Sequence, residues 1–220
     1  MAYSVTGIVN LALSRIGVKG IANLSEQSQQ AIAANASWQY IRDEVLSAKD
    51  WYFAKKRVAL AQNATSPAYN FDYAYTLPSD FLRLCKQDSS DASVFPSGYY
   101  AEDSITGQVL IQNNYTAYKI EAISDGTLCL VTNYDNSSYD IYINYIAKIT
   151  DVTKFSPQFI SALAFRLAAE LSITRTETRS KFTDMMEMYR TSLVDAEGHN
   201  MSMDYNNGET GTDSWLMAGR

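Results

Sequence analysis

The side chains that most often carry chemistry are sparse in this sequence. Its one histidine, His199, stands in a polar segment expected to follow the last helix. The two cysteines, Cys85 and Cys129, lie in apolar, strand-like runs. There a thiol behaves as a small hydrophobe, and both are read as buried and free in preference to a disulfide. No cysteine or carboxylate cluster has metal-ligand spacing, and no nucleophile elbow, P-loop or dinucleotide fingerprint occurs. Asp184, Glu187 and Asp195 accompany Lys181 and Arg190 on a helical stretch, as charges on a solvated face do. The triplet Lys55-Lys56-Arg57 could touch phosphate, but charges that guard a strand edge from aggregation explain it more simply. The expectation is a protein without catalytic residues, metal or cofactor.

Contact chemistry is better represented. Eight of the sixteen tyrosines lie between Tyr99 and Tyr145. Tyrosine is amphipathic, so these rings are either half-buried packing or a surface for protein or glycan. Tyr99, Tyr100, Tyr115 and Tyr118 are the candidate contact residues. The final stretch, Met201 to Arg220, has no apolar period and contains Gly208, Gly211 and Gly219, yet it carries Trp215-Leu216-Met217 near its end. An apolar cluster on such a tail is costly to leave in water. Docking into a neighbouring chain explains it better than folding back, because tails that order on binding can wrap distant surfaces. Trp215, Leu216 and Met217 would then be the anchor, with Arg220 reaching a carboxylate.

The elements that must position these groups are of two kinds. Hydrophobic residues make up 46% of the 220 positions and charged ones 19%, the balance of a folded soluble chain. A net charge of −6 argues against a surface that wraps nucleic acid. Neither a leader peptide nor a long apolar span is read. Val5, Ile8, Val9, Ala12, Leu13 and Ile16 give a first helix, capped by Ser4 or Thr6 and ended by Gly17 and Gly20. A second helix is expected from about Ser25 to Ala48, with Ala31, Ala34, Trp38, Ile41 and Val45 on one face and Ser25 or Ser28 as cap. Its alanines would let another helix approach closely.

From Trp51 the period changes to that of strands, broken by turn clusters. Strands are expected over Phe53–Ala61, Tyr73–Leu77 and Phe81–Leu84, then an exposed loop over Gln87–Tyr99. Hairpin turns are expected at Ile105–Gln108 and Ser124–Thr127. Tyr139–Ile149 alternates, with Ile141, Ile143 and Tyr145 facing one way. Beyond it, Ser156 caps and Pro157 opens a helix whose stripe is Phe159, Leu163, Leu167 and Leu171. A break over Ser172–Thr178 precedes a last helix with Phe182, Met185, Met186, Tyr189 and Leu193 on one face, closed by Gly198.

The expected fold is α+β: an antiparallel helical bundle from the N- and C-terminal segments, with an inserted antiparallel β domain and an extended C-terminal tail. Its parts are residues 1–50 and 151–204 in the bundle, the latter a helical hairpin, 51–150 in the β domain, and 205–220 in the tail. Trp38, Leu163 and Leu167 are placed in the helical core.

Four stretches in this order resemble the head-to-tail adaptor (tail tubular protein A) family of tailed bacteriophages. They are Ile8–Leu13 ending at Ile16-Gly17; Trp51–Ala54 followed by Lys56-Arg57; Tyr75–Leu84; and Phe159–Leu171 with its Ala-Leu-Ala-x-Arg-Leu-Ala-Ala-Glu-Leu run. Met203-Asp204-Tyr205 before the apolar-tipped tail is similar too. The resemblance implies a structural virion protein without enzyme activity: a dodecameric homo-oligomeric ring between portal protein and tail nozzle protein. Tail fibres are a further partner it suggests. DNA would pass through the channel without sequence-specific binding, and no membrane is involved. It places the protein in the virion connector, and in the host cytoplasm during assembly. Portal contact falls to the tail, and lateral or nozzle contact to the four tyrosines named above. The isolated chain is expected to be mostly monomeric, the ring forming on the portal. Two rival classes are a carbohydrate-binding or tail-spike accessory module that uses the Tyr-rich β domain, and a muralytic enzyme, which would need a paired-carboxylate site.

Overall fold

The computed structural model describes residues 3–85, 99–102, 109–112, 118–133, 135, 141–175 and 179–203. Helices stand at both ends of this span and antiparallel strands between them. The order is α1 (Val5–Arg15), α2 (Gln29–Ala48), β1 (Lys55–Leu60), β2 (Tyr73–Thr76), β3 (Phe81–Leu84), β4 (Tyr99–Glu102), β5 (Val109–Gln112), β6 (Tyr118–Ala122), β7 (Leu128–Thr132), β8 (Ile141–Ala147), a 3-10 turn (Val152–Lys154), α3 (Pro157–Arg175) and α4 (Arg179–Met203).

Helix α3 is the element the others pack on, with α1, α2 and α4 all against it. Its start follows from sequence: Pro157 needs no donor at the first position, and the Ser156 hydroxyl accepts from the Phe159 N–H at 3.2 Å. Phe159, Leu163 and Leu167 are fully buried, and so are Ala162, Ala164, Ala168 and Ala169 beside them. These small residues let its neighbours come close on several sides. Trp38 is buried with them, as the sequence predicts.

The expected break at Ser172 does not occur there. The buried Ser172 hydroxyl donates to the Ala169 carbonyl at 2.7 Å, so it is satisfied inside the helix and α3 continues to Arg175. Residues 176–178 of the expected break lie outside the described residues. Gly198 does not close α4 either, and the helix runs on to Met203. A helical glycine costs about 1 kcal/mol relative to alanine, which packing can offset. Here Ala196 is fully buried and Glu197 pairs with Lys49 at 2.6 Å, holding the turn that contains it. His199 is therefore on α4, not after it, and is exposed.

The second helix begins at Gln29, later than expected. Ser25 lies outside the helix, in a segment where residues 22–26 fold on themselves: the Ser25 N–H donates to Asn23 Oδ1 and the Ala22 N–H to Glu26 Oε2, each at 2.9 Å. Ser28 is the cap, accepting from the Ala31 N–H at 3.3 Å. Ahead of it, Asn10 ties the loop to α1, its side chain bonding both the N–H and the carbonyl of Ile21 at 2.7 and 2.9 Å. A Cβ on Gly20 would stand 2.9 Å from Asn10 Oδ1, so that position must stay small.

The strands form a sheet β1-β8-β3, a sheet β2-β7-β6 and the pair β4-β5, all antiparallel. Beyond β1 the chain crosses from one sheet to the other. The Asn63 N–H donates to the Ala74 carbonyl at 2.7 Å, and the Thr76 N–H to that of Ala61 at 3.0 Å. Ile141, Ile143 and Tyr145 share one buried face of β8 with Ala147, as their alternation predicts. The other face is partly covered too: Asn144 and Ile146 are buried there, while Tyr142 is exposed. The turn at Ser124–Thr127 forms as predicted, with Gly126 at φ +82° and its N–H donating to the Ile123 carbonyl at 2.8 Å. Residues 103–108, with the other expected turn, and most of the expected loop before Tyr99 lie outside the described residues.

One core of buried residues runs from the helices into β1, β2, β7 and β8, while Ala74, Ile123, Cys129 and Val131 form a small second cluster with Phe71 packed against it. Both cysteines are buried, and neither is in a disulfide.

Candidate assembly surfaces

Three polar clusters fix how the elements meet. Arg166 on α3 pairs with Glu44 of α2 at 2.9 Å and with Glu170 one turn on at 3.1 Å. Burial alone would lower the Arg166 guanidinium, but the bonds to the two carboxylates outweigh it and raise its pKa. The phenol of Tyr189, on α4, is pushed up to about 12 by burial and then by the charge of Glu44. At the sheet, Asp80 accepts from Lys56 at 2.6 Å and from the Tyr145 hydroxyl at 3.0 Å. Burial would raise this carboxyl, but those bonds and the lysine charge hold it below its ordinary value. Tyr145 in turn is pushed up to about 12, by burial first and then by Asp80. In the third cluster Arg83 pairs with Asp50 and donates to the Ser47 carbonyl at 2.7 Å, capping the last turn of α2.

These ties are structural in their chemistry. Tyr145 and Tyr189 stay protonated far above neutrality, and burial raises the Cys129 thiol, so none is poised as base or nucleophile near pH 7. The sign for stability follows from linkage. A tyrosine whose folded pKa is raised contributes fully below the ordinary value of about 10, and that contribution is lost as pH rises through about 12. Asp80, lowered, contributes above the ordinary carboxyl range and loses it as pH falls through the folded value. Urea midpoints followed from pH 8 to 12 should therefore fall, and Tyr145→Phe should show a shallower fall. An identical slope in the variant would remove Tyr145 from this account.

The sequence-predicted contact residues are placed unevenly. Tyr118 begins β6, an edge strand, and is 40% exposed. Tyr99 and Tyr100 are in β4, opposite Gln112 and Ile111. Tyr115, Trp215, Leu216, Met217 and Arg220 lie outside the described residues, so the expected tail anchor does too. The charged face of α4 is as predicted: Asp184, Glu187, Arg190 and Asp195 are exposed, while Lys181 reaches the Ile16 carbonyl at 3.0 Å and closes α1. Lys56 is exposed on edge strand β1 but engaged by Asp80.

Sequence reasoning missed four exposed apolar side chains on the helices. On α4, away from its apolar stripe, Met188 is 45% and Val194 67% exposed; on α2, Ile32 and Tyr40 are exposed as well. The signal was available, since none of the four lies on the apolar stripe of its helix. Among the described residues, no helix is long and apolar enough to cross a membrane, and no cluster of His, Cys, Asp and Glu could hold a metal ion.

Compared with known proteins, the chain matches no family model and no curated protein.

Proposed function

We propose that this chain is a structural, non-enzymatic subunit of a head-to-tail adaptor ring, joined sideways through its helices and held to a portal by its C-terminal tail. The observation that carries the reading is α4. Its long helix is held on one side by α3 and near its ends by Lys181 to Ile16 and by Glu197 to Lys49, while its outer side presents Met188 and Val194. A ring needs two different faces that meet heterologously and close. We assign those faces to the outer sides of α4 and α2, where Met188 and Val194, and Ile32 and Tyr40, are exposed; both belong to the helical layer, which in this reading is the antiparallel bundle. The C-terminal tail, with Trp215, Leu216 and Met217, follows from the end of α4. Rings of this kind commonly bury over ~2,000 Å² per interface, more than four side chains supply, so the tail and a neighbour must add to them. An acidic chain also suits a channel through which DNA passes without sticking. The ring would sit in the virion connector, between portal and tail nozzle.

A glycan-binding screen with the intact chain separates this from the sugar-binding class. We expect no glycan to bind. A specific sugar hit that is lost with Tyr118→Ala would favour the accessory-module reading instead.

A further inference from the structure

Strand β6, Tyr-Lys-Ile-Glu-Ala over residues 118–122, is the outer strand of its sheet, and all five residues are exposed. The phase of its ladder is fixed by the turn that follows it. The Ile123 N–H donates to the Thr127 carbonyl at 3.0 Å, and the register continues as Ala122↔Leu128, Glu121↔Cys129, Ile120↔Leu130 and Lys119↔Val131. Hydrogen-bonded and non-bonded pairs alternate along an antiparallel ladder. Glu121 and Lys119 therefore direct their backbone groups to β7, whereas Tyr118, Ile120 and Ala122 turn theirs outward. An edge of this kind is a template for another strand.

The side chains say which strand. Laid antiparallel on a second copy of itself with Ile120 opposite Ile120, the segment matches at every position. Lys119 faces the other copy's Glu121, Glu121 faces its Lys119, and the large Tyr118 faces the small Ala122. The same register pairs the outward backbone groups of 118, 120 and 122 with one another. The apolar residues share one face and the charged ones the other, since strand neighbours alternate. Exposure of Ile120 at 38% leaves its branched chain available for that face.

We infer that two copies of this chain pair through β6 in an antiparallel, two-fold contact centred on Ile120. It does not rest on the adaptor reading, because a ring joins unlike faces and this contact joins like ones. Five residues make a short edge. The dimer is weak, so the chain is monomeric when dilute and associates as it is concentrated.

The test is sedimentation equilibrium of the full chain over a wide concentration range at low salt, with far-ultraviolet circular dichroism to confirm folding of each variant. The wild type should show a monomer–dimer equilibrium and nothing larger from this contact. Glu121→Lys sets lysine against Lys119 at both ends of the pairing and should weaken it roughly tenfold. Lys119→Glu should do the same. The double exchange of both residues restores opposite charges and should return the affinity to within about threefold of wild type. An equimolar mixture of the two single variants should associate more tightly than either alone. A chain that stays monomeric throughout, single variants that dimerise like wild type, or a double exchange that fails to restore pairing would each overturn the inference.

Discussion

Replacing Trp51 with alanine is expected to cost the fold about 3–5 kcal/mol, a large share of the roughly 5–15 kcal/mol that holds a domain together. Trp51 is fully buried where α2 hands the chain to β1. Its ring meets Phe159 of α3 edge-on at 5.0 Å, and Phe53 and Phe155 complete the aromatic cluster around Phe159 at 5.2 and 4.6 Å. The indole N–H donates to the Val45 carbonyl at 2.8 Å. That carbonyl belongs to the last turn of α2, so the indole ties the end of the helix to the chain that follows it. Trp51→Ala thus opens a cavity and removes this tie together. Trp51→Phe keeps much of the volume and loses only the donor, and should cost about 1–3 kcal/mol. Urea unfolding of the three proteins measures both. A Trp51→Ala midpoint equal to wild type would show that the corner between helix and sheet does not depend on this residue.

How far the sequence carried this picture depended on the range of the interaction. The stripe Phe159, Leu163, Leu167, Leu171 was legible because its period is local, and all four are buried. So were Gly126 and the turn around it, where one residue must take a positive φ. Ser28 was legible as a cap beside Ser25, but the choice between them was not, since it turned on how residues 22–26 fold on themselves. The continuation of α4 through Gly198 depended on a pair with Lys49, far away in sequence. The burial of Asn144 and Ile146 on the second face of β8 came from tertiary packing, Asn144 meeting the Cys85 thiol, which no alternation within one strand reveals. For the candidate surfaces the sequence named Tyr118, which is exposed, and passed over Met188 and Val194, which are exposed only because α4 turns its other side to α3.

Deleting Ser214–Arg220 is expected to leave the melting temperature of the monomer unchanged and to abolish its attachment to a portal. In the proposed arrangement Trp215, Leu216 and Met217 enter an apolar pocket on the portal and Arg220 meets a carboxylate. Burying a leucine or methionine side chain contributes about 1.5–3 kcal/mol. A tryptophan in a dry pocket is commonly an anchor of the interface. Ordering each residue of the tail opposes this at roughly 1–2 kcal/mol. One tail therefore binds weakly, and a ring of them holds because each engaged subunit raises the effective concentration of the next. Loss of the apolar tip from every subunit should then act far more strongly on the ring than on one chain.

The adaptor reading stands or falls on portal occupancy, counted by electron microscopy of portals mixed with intact chain and, in parallel, with the truncated one. The account predicts a complete dodecameric ring on portals given the intact chain and bare portals given the truncated chain. Portals left bare by the intact chain would contradict the adaptor reading itself, and full rings from the truncated chain would move the anchor from the tail to the helices.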